Sequence, residues 1–307
     1  HNDGSRILPF YSLEFRDYRP VVQAAARAFL GEPALLPGPW DALCLWLGLP
    51  TNTERGSASR LASPGVCRLG DETHWATIRA AQFTSRPAHA DQLHVDLWWQ
   101  GQNVIMDPGT FQYNAPPPWR NALSRTAVHN TVTVNGADQM SRAGQFLWLD
   151  WAQASIIASE SEKGRRWTAE HDGYRRFGIV HRRTLEQNGA DRWQVLDSLR
   201  PADGSAGRRV EEAVLHWLLP DGDWHLEGSI LKVQTPAGRL HLAVEMGPGV
   251  RLDWVQVIRA GETLFGREEP SPVFGWCSPT YGIKLPALAF RLAFSGWLCA
   301  APQSYQS

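Results

Sequence analysis

The sequence predicts a mainly β protein, a large antiparallel β-sandwich preceded by a short helical segment. Three observations predict it. The apolar period changes from about 3.6 to about 2 after a Ser/Gly/Pro-rich stretch between Thr51 and Pro64. Beyond it, short apolar runs recur at roughly ten-residue spacing with no helical pattern between them. Turn-forming clusters such as Gln187-Asn188-Gly189, Asp203-Gly204-Ser205 and Pro236-Ala237-Gly238 separate those runs. The expected division is 1–64 for the helical segment with its linker and 65–307 for the β-sandwich.

The elements follow in order. From Tyr18 to Leu30, apolar residues at Val21, Val22, Ala25, Ala28 and Phe29 have helical spacing, and Gly31 is placed as the stop. A second helix is expected from Pro39 to Leu47, with Leu43, Trp46 and Leu47 on one face and Gly48 as its end. Strand alternation begins at Thr73 to Ala80 and returns at Leu93 to Trp99, with Leu93, Val95, Leu97 and Trp99 on one face and His94, Asp96 and Trp98 on the other. Gln100-Gly101-Gln102 turns that strand into Asn103 to Met106. Further strands are expected at 131–134, 146–157, 174–186, 192–199, 211–219, 229–234, 239–245, 252–258 and 287–293.

Composition excludes some functions. Lys plus Arg number 30 and Asp plus Glu 31, so no global basic field drives binding to nucleic acid or an anionic membrane. No apolar run is long enough to span a bilayer as a helix. Cys44, Cys67, Cys277 and Cys299 lie far apart without a CxxC pair, which reads as buried thiols rather than a disulfide framework or thiolate zinc site. The opening His1-Asn2-Asp3 has neither an initiator Met nor a leader, and reads as the start of a carboxyl-terminal piece of something longer. Compartment stays open, with the periplasm favoured over the cytoplasm.

Only 10 His occur in 307 residues, yet His89, His94 and His129 fall with Asp91, Asp96 and Asp107 around two strand runs. Charged and ligating side chains are costly to bury unless paired or metal-bound. His89, Asp107 and His129 form one metal set, since zinc commonly takes two His and a carboxylate. The hairpin brings His89, before one strand, close to Asp107, at the end of its partner. Two alternatives stand beside it: a hydrogen-bonded His89–Asp107 pair at a sheet end, and an HxD…H iron triad in which Asp91 is the ligand. After Asp107, the segment carrying Tyr113, Asn114, Trp119, Arg120 and Arg125 reads as a loop suited to an acidic polysaccharide, with Arg for carboxylate or sulfate and Trp for sugar stacking. The alternative is a surface loop in which Trp119 only packs. His74, His216, His225 and His241 are assigned no role. No GxGxxG, P-loop Lys or GxSxG stands out.

Arg86-Pro-Ala-His-Ala-Asp-Gln-Leu-His, Asp107-Pro-Gly-Thr and His129-Asn-Thr-Val-Thr-Val-Asn-Gly together resemble the carboxyl-terminal β-sandwich region of the heparinase II/III-like polysaccharide lyases. The resemblance implies an (α/α) toroid ahead of this sandwich, its tail being the opening helical segment, and an acidic polysaccharide bound between the two. It implies a zinc ion held by His89, Asp107 and His129. It also implies β-elimination at a uronate, in which a base takes the C5 proton and an acid, usually Tyr, protonates the departing glycosidic oxygen. In such enzymes the main Tyr and an Asn/His pair come from the toroid, so this chain alone is expected to be inactive. Similar lyases carry a further His just before the HAD segment, whereas Phe83 to Ala88 contains none. That leaves Tyr113 and His129 as local candidates for proton transfer, and Asn114, Trp119, Arg120 and Arg125 for substrate binding. The alternative function is a non-catalytic carbohydrate-binding or structural β-sandwich domain of an exopolysaccharide-processing protein.

Overall fold

The computed structural model describes residues 17–51, 65–160, 166–202, 209–268 and 272–297. Its helices and strands fall into two compact units. The linker expected at 51–64 lies almost wholly outside the described residues, as does Cys299.

In the helical unit, α1 (Arg19–Leu30) has Pro20 in its first turn and ends at Gly31, whose φ of 77° is the left-handed conformation expected of a helix stop. The second expected helix is shorter, a 3-10 turn over Pro39–Asp41 leading into α2 (Ala42–Trp46). The face of α1 that packs within this unit combines small apolar residues, Pro20, Ala24 and Ala26, with the polar Gln23 and Arg27. Buried Gln23 exchanges hydrogen bonds with the Leu35 backbone and donates to Asp41, while buried Arg27 donates to the Pro50 and Thr51 carbonyls. Those carbonyls lie outside helix and sheet and take their donors from these side chains, while Val21, Val22 and Phe29 stay exposed.

The β unit is antiparallel in all its sheets. β1 (Val66–Gly70), β2 (His74–Arg79), β3 (Val95–Trp99) and β4 (Gln102–Ile105) form a meander. The β3–β4 turn places Gln100 and Gly101 at φ 51° and 74°, the two positive values that a two-residue hairpin loop requires. β5 (Val132–Val134) joins the largest sheet, and β6 (Ser141–Arg142) with β7 (Trp148–Leu149) makes a small hairpin. β8 (Ala154–Glu160), β9 (Arg166–His171), β10 (Ile179–Gln187) and β11 (Trp193–Pro201) form a second meander. β12 (Arg209–Pro220) is followed by the three-stranded meander β13 (Trp224–Glu227), β14 (Ile230–Thr235) and β15 (Gly238–Ala243). β16 (Val250–Arg259), β17 (Glu262–Phe265), β18 (Trp276–Thr280) and β19 (Ile283–Trp297) complete the largest sheet, ordered β17-β16-β19-β12-β5 with β18 on β19.

Mainly β and antiparallel is thus correct. The two facing sheets of a sandwich are not what the strand pairing gives: the strands are shared among five sheets, in a propeller-like succession of meanders. Irregular segments at 106–131 and 135–153 interrupt the pairing and separate them. The strand expected over 146–157 is likewise broken, with Asp150 at φ 53° between β7 and β8. One apolar cluster nevertheless joins four sheets, through Leu69, Ile78 and Val95, Ala169 and Leu185, Trp217 and Phe290, and Leu231 and Val233. At roughly 1.5–3 kcal/mol for each large buried side chain, this common core is the main favourable contribution to stability.

Candidate metal centre and adjoining loops

His89, Asp91 and His94 lie in the irregular entry to β3, and all three are buried. The Ala90 amide donates to the Ser124 carbonyl at 2.9 Å and the Thr126 hydroxyl donates to the Ala90 carbonyl at 2.8 Å, tying the HAD segment to the 3-10 turns before His129. Asp107 follows β4. Its Oδ1 accepts the Gly109 amide at 2.7 Å in an Asx-type turn, and its Oδ2 lies 3.6 Å from His94 Nε2 and 3.8 Å from His129 Nε2.

Hydrogen bonds settle the tautomers. His129 Nδ1 lies 2.7 Å from the Arg125 carbonyl, which only accepts, so Nδ1 carries the proton and Nε2 presents a lone pair. That Nε2 is 3.1 Å from His89 Nδ1, with both rings buried. His94 is oriented the other way: its Nδ1 accepts the Asn130 amide at 3.0 Å, so in the neutral ring Nε2 is an N–H, facing Asp96 and Asp107. Two buried imidazole nitrogens beside a carboxylate are a donor set suited to zinc. Two carboxylates compete for the third place. Asp91 lies with His89 and His129 in a group whose ligand atoms are all within 4.8 Å of one another, but its Oδ1 is 2.9 Å from Arg79 Nε. Asp107 places Oδ2 3.8 Å from His129 Nε2. Below them, burial and then the Arg291 charge hold His216 neutral, its Nδ1 3.2 Å from the His129 carbonyl.

The loop after Asp107 divides its polar groups. Tyr113 packs edge-on against Phe146 and tilted against Tyr281, with ring centroids 5.2 and 5.1 Å apart. Gln145 donates to the Tyr113 carbonyl and to Asn114 Oδ1, and accepts from Arg120 Nε at 3.2 Å, so Tyr113, Asn114 and Arg120 are gathered around one amide. Trp119 turns elsewhere. It packs edge-on to Phe111 and Trp276, and Lys284 Nζ sits 4.1 Å from its ring centroid. Arg125 pairs with Asp138 at 3.1 Å.

The family profile described as heparinase II/III-like, C-terminal, matches residues 55–302. The chain belongs to this family. Among solved structures it resembles heparan sulfate lyase HepC from Pedobacter heparinus, at 16% identity and a TM-score of 0.56 over 94% of this chain and 42% of that one. It also resembles a heparinase III, at 12% identity and a TM-score of 0.57, again over 94% and 42%. At these identities the likeness is one of fold, and this chain spans about four-tenths of the length of either relative. No curated protein sequence matches.

In this heparinase II/III-like domain the buried polar residues behind the imidazoles escaped the sequence reading. Asn130, fully buried, donates through Nδ2 to the Val95 and Met106 carbonyls, each at 2.9 Å, and accepts the Leu218 amide at 2.7 Å. The Gln139 side-chain amide brackets the Gln92 backbone, accepting its N–H at 2.7 Å and donating to its carbonyl at 2.9 Å. Arg183 reaches from β10 to the Leu93 and Asn130 carbonyls with one nitrogen, while its Nε and Nη2 hold Asp197 at 2.7 and 2.9 Å. Asp197 in turn accepts from His181, whose other nitrogen is 3.2 Å from His171. The sole sequence signal for these was that Asn130 directly follows His129 in the motif.

Proposed function

We propose that this domain is the carboxyl-terminal part of a polysaccharide lyase that cleaves a uronate-containing polysaccharide by β-elimination, with zinc at His89, Asp107 and His129. The observation that carries the reading is the pair of facing nitrogens, His89 Nδ1 and His129 Nε2, 3.1 Å apart in a buried setting with Asp107 Oδ2 alongside. Bound zinc supplies a fixed positive charge there that orders the HAD segment and the loop after Asp107. The Arg125 carbonyl, by holding the His129 proton on Nδ1, keeps Nε2 a ligand, so His129 serves the metal and not proton transfer. Arg120 and Asn114 bind the uronate carboxylate, which makes the C5 proton easier to remove. Tyr113 donates its phenolic proton to the glycosidic oxygen as the C4–O bond breaks. Trp119 takes part in substrate binding only through the ring edge that Phe111, Trp276 and Lys284 leave exposed. An amino-terminal toroid supplies the remaining catalytic groups and the other wall of the cleft, while the β unit serves as the carboxyl-terminal half.

Asp91 in place of Asp107 is the second reading, favoured by the compact His89–Asp91–His129 group. Elemental analysis of the purified chain tests both. Near-stoichiometric zinc that is lost in His89→Ala and Asp107→Asn but retained in Asp91→Asn is the expected result. Loss in Asp91→Asn alone transfers the ligand role to Asp91, and a metal-free wild type refutes the centre, leaving the carbohydrate-binding alternative. Absorbance of the unsaturated product, followed with the full-length protein, tests the lyase reaction.

A further inference from the structure

Beside the loop that carries Arg120 lies an open cavity of about 430 Å³, walled by Pro117-Pro118 on one side and by the β6–β7 hairpin, from Arg142 to Gln145, on the other. Two guanidinium groups border it. Arg142 donates through Nη2 to the Arg120 and Asn121 carbonyls at 3.0 and 3.2 Å and through Nε to the Gly144 carbonyl at 3.3 Å. Arg120 is fastened only at Nε, to Gln145. Among the described residues, Arg142 Nη1 and both terminal nitrogens of Arg120 therefore make no hydrogen bond, and neither side chain is paired with a carboxylate. The nearby carboxylate, Asp138, is taken by Arg125 and by the Thr126 amide. Of the three guanidinium groups, Arg125 alone has a carboxylate partner. The crowding registers on Arg142, whose proton affinity is lowered first by burial and then by the Arg125 charge, with Asp138 opposing and Arg120 adding.

We propose that this cavity is a subsite for an anionic sugar residue, whose carboxylate or sulfate is held in the fork of Arg120 and Arg142 with the Gln145 amide beside it. The proposal rests on the acidic-polysaccharide reading above and adds the hairpin to it. Guanidinium pairs match the oxygens of either anion bidentately, and a bound oxyanion relieves the repulsion among the three Arg. The cavity volume falls in the lower part of the range for small-ligand clefts, with room for a sugar ring. Its position is also informative. The same loop offers the Ser124 and Arg125 carbonyls that fix Ala90 and His129, so one segment joins the wall of the cavity to the imidazole centre.

The test is calorimetric titration of the whole chain with three tetrasaccharides: oligogalacturonate, which carries carboxylates only; a sulfated galactan, which carries sulfates only; and neutral galactan. Binding of one or both anionic chains and not the neutral one is expected, with affinity falling as salt rises. Arg120→Gln should weaken it by roughly tenfold and Arg142→Gln by at least as much, since a charged hydrogen bond is lost in each. Arg142→Lys should not restore it, because an ammonium lacks the fork. Arg120→Gln removes one exposed side-chain bond, and an unchanged melting temperature for that variant separates lost binding from lost folding. Anionic chains bound equally by wild type and both Gln variants overturn the subsite and leave the acidic-polysaccharide reading standing. A wild type that binds all three alike, or none, overturns both. Whichever anionic tetrasaccharide is the more sensitive to Arg142→Gln identifies carboxylate or sulfate as the group held.

Discussion

Replacing Arg183 with Met removes the cation that pairs with the Asp197 carboxylate and the donor to the Leu93 carbonyl, while the Asn130 carbonyl, which Arg183 also reaches, keeps the Val95 amide at 3.3 Å. Breaking a buried ion pair from one side costs about 3–5 kcal/mol, because the remaining charge is stranded. Here the lower end applies to the pair, since the Asp197 side chain keeps 20% of its exposure and His181 still donates to it. The Leu93 carbonyl adds about 1 kcal/mol, as an unsatisfied buried acceptor does. A total of about 4 kcal/mol is expected, or a melting temperature lower by roughly 8–16 °C for a domain of this size. Guanidinium-chloride unfolding followed by tryptophan fluorescence measures it. The double variant Arg183→Met with Asp197→Leu should recover most of the pair's share, because an apolar pair of similar volume strands no charge. A loss under about 1 kcal/mol in Arg183→Met would refute the view that this guanidinium is a strut between β10 and the imidazole loops.

Acid should weaken the same region. Gly173 donates to His171 Nδ1, which leaves His171 Nε2–H for His181 Nδ1 and His181 Nε2–H for Asp197, so both rings are neutral in the fold. Burial lowers the proton affinity of each, and the unfolded chain therefore binds more protons below about pH 6.5. Stability should be fully present at pH 7.5 and fall as pH drops, by up to about 1.4 kcal/mol per pH unit for each ring; an unfolding midpoint unchanged between pH 7.5 and 5.5 would exclude this. Arg183 holds the Asp197 carboxyl far below the ordinary range despite its burial, which confines that group's own contribution to a further loss below about pH 4. Gly109→Ala should cost about 2 kcal/mol or more and lower metal content. Gly109 sits at φ 72°, and a Cβ there would lie 2.1 Å from the Ser278 carbonyl oxygen, forcing the turn that aims Asp107 to open.

What was legible in the sequence had a short-range cause. The β2, β3 and β4 strands follow from alternation and from a two-residue turn, and α1 ends at the glycine placed to stop it. His89, Asp107 and His129 stand out because imidazoles and carboxylates cluster at strand ends; in the fold His129 Nε2 lies 3.1 Å from His89 Nδ1 and 3.8 Å from Asp107 Oδ2, while the carboxylate grouped with both imidazoles is that of Asp91. Asp91 shows the limit: its burial against Arg79 and its nearness to both imidazoles depend on how the HAD segment folds back on β2. Arg183 was illegible for a different reason. Within a strand reading Arg182-Arg183-Thr184, parity alone cannot tell which guanidinium meets solvent, and Arg183 points inward only because Asp197 on β11 stands opposite it. The edge strands β1, β13, β17 and β18, and the six-residue β9 between β8 and β10, went unmarked since they are short and their order is imposed by neighbours. The propeller-like division into several sheets depends on the long irregular segments, which carry no period at all.

The β6–β7 hairpin has strands of two residues each, one fully buried anchor in Trp148, and a tip at Phe146 and Leu147 that stays in solvent. A segment so lightly paired contributes little to global stability, so its tip tolerates replacement that the His129 loop does not. On the subsite proposed above, selection for a different saccharide has, in this hairpin, a place to act through a handful of codons while the imidazoles and their buried amides stay unchanged.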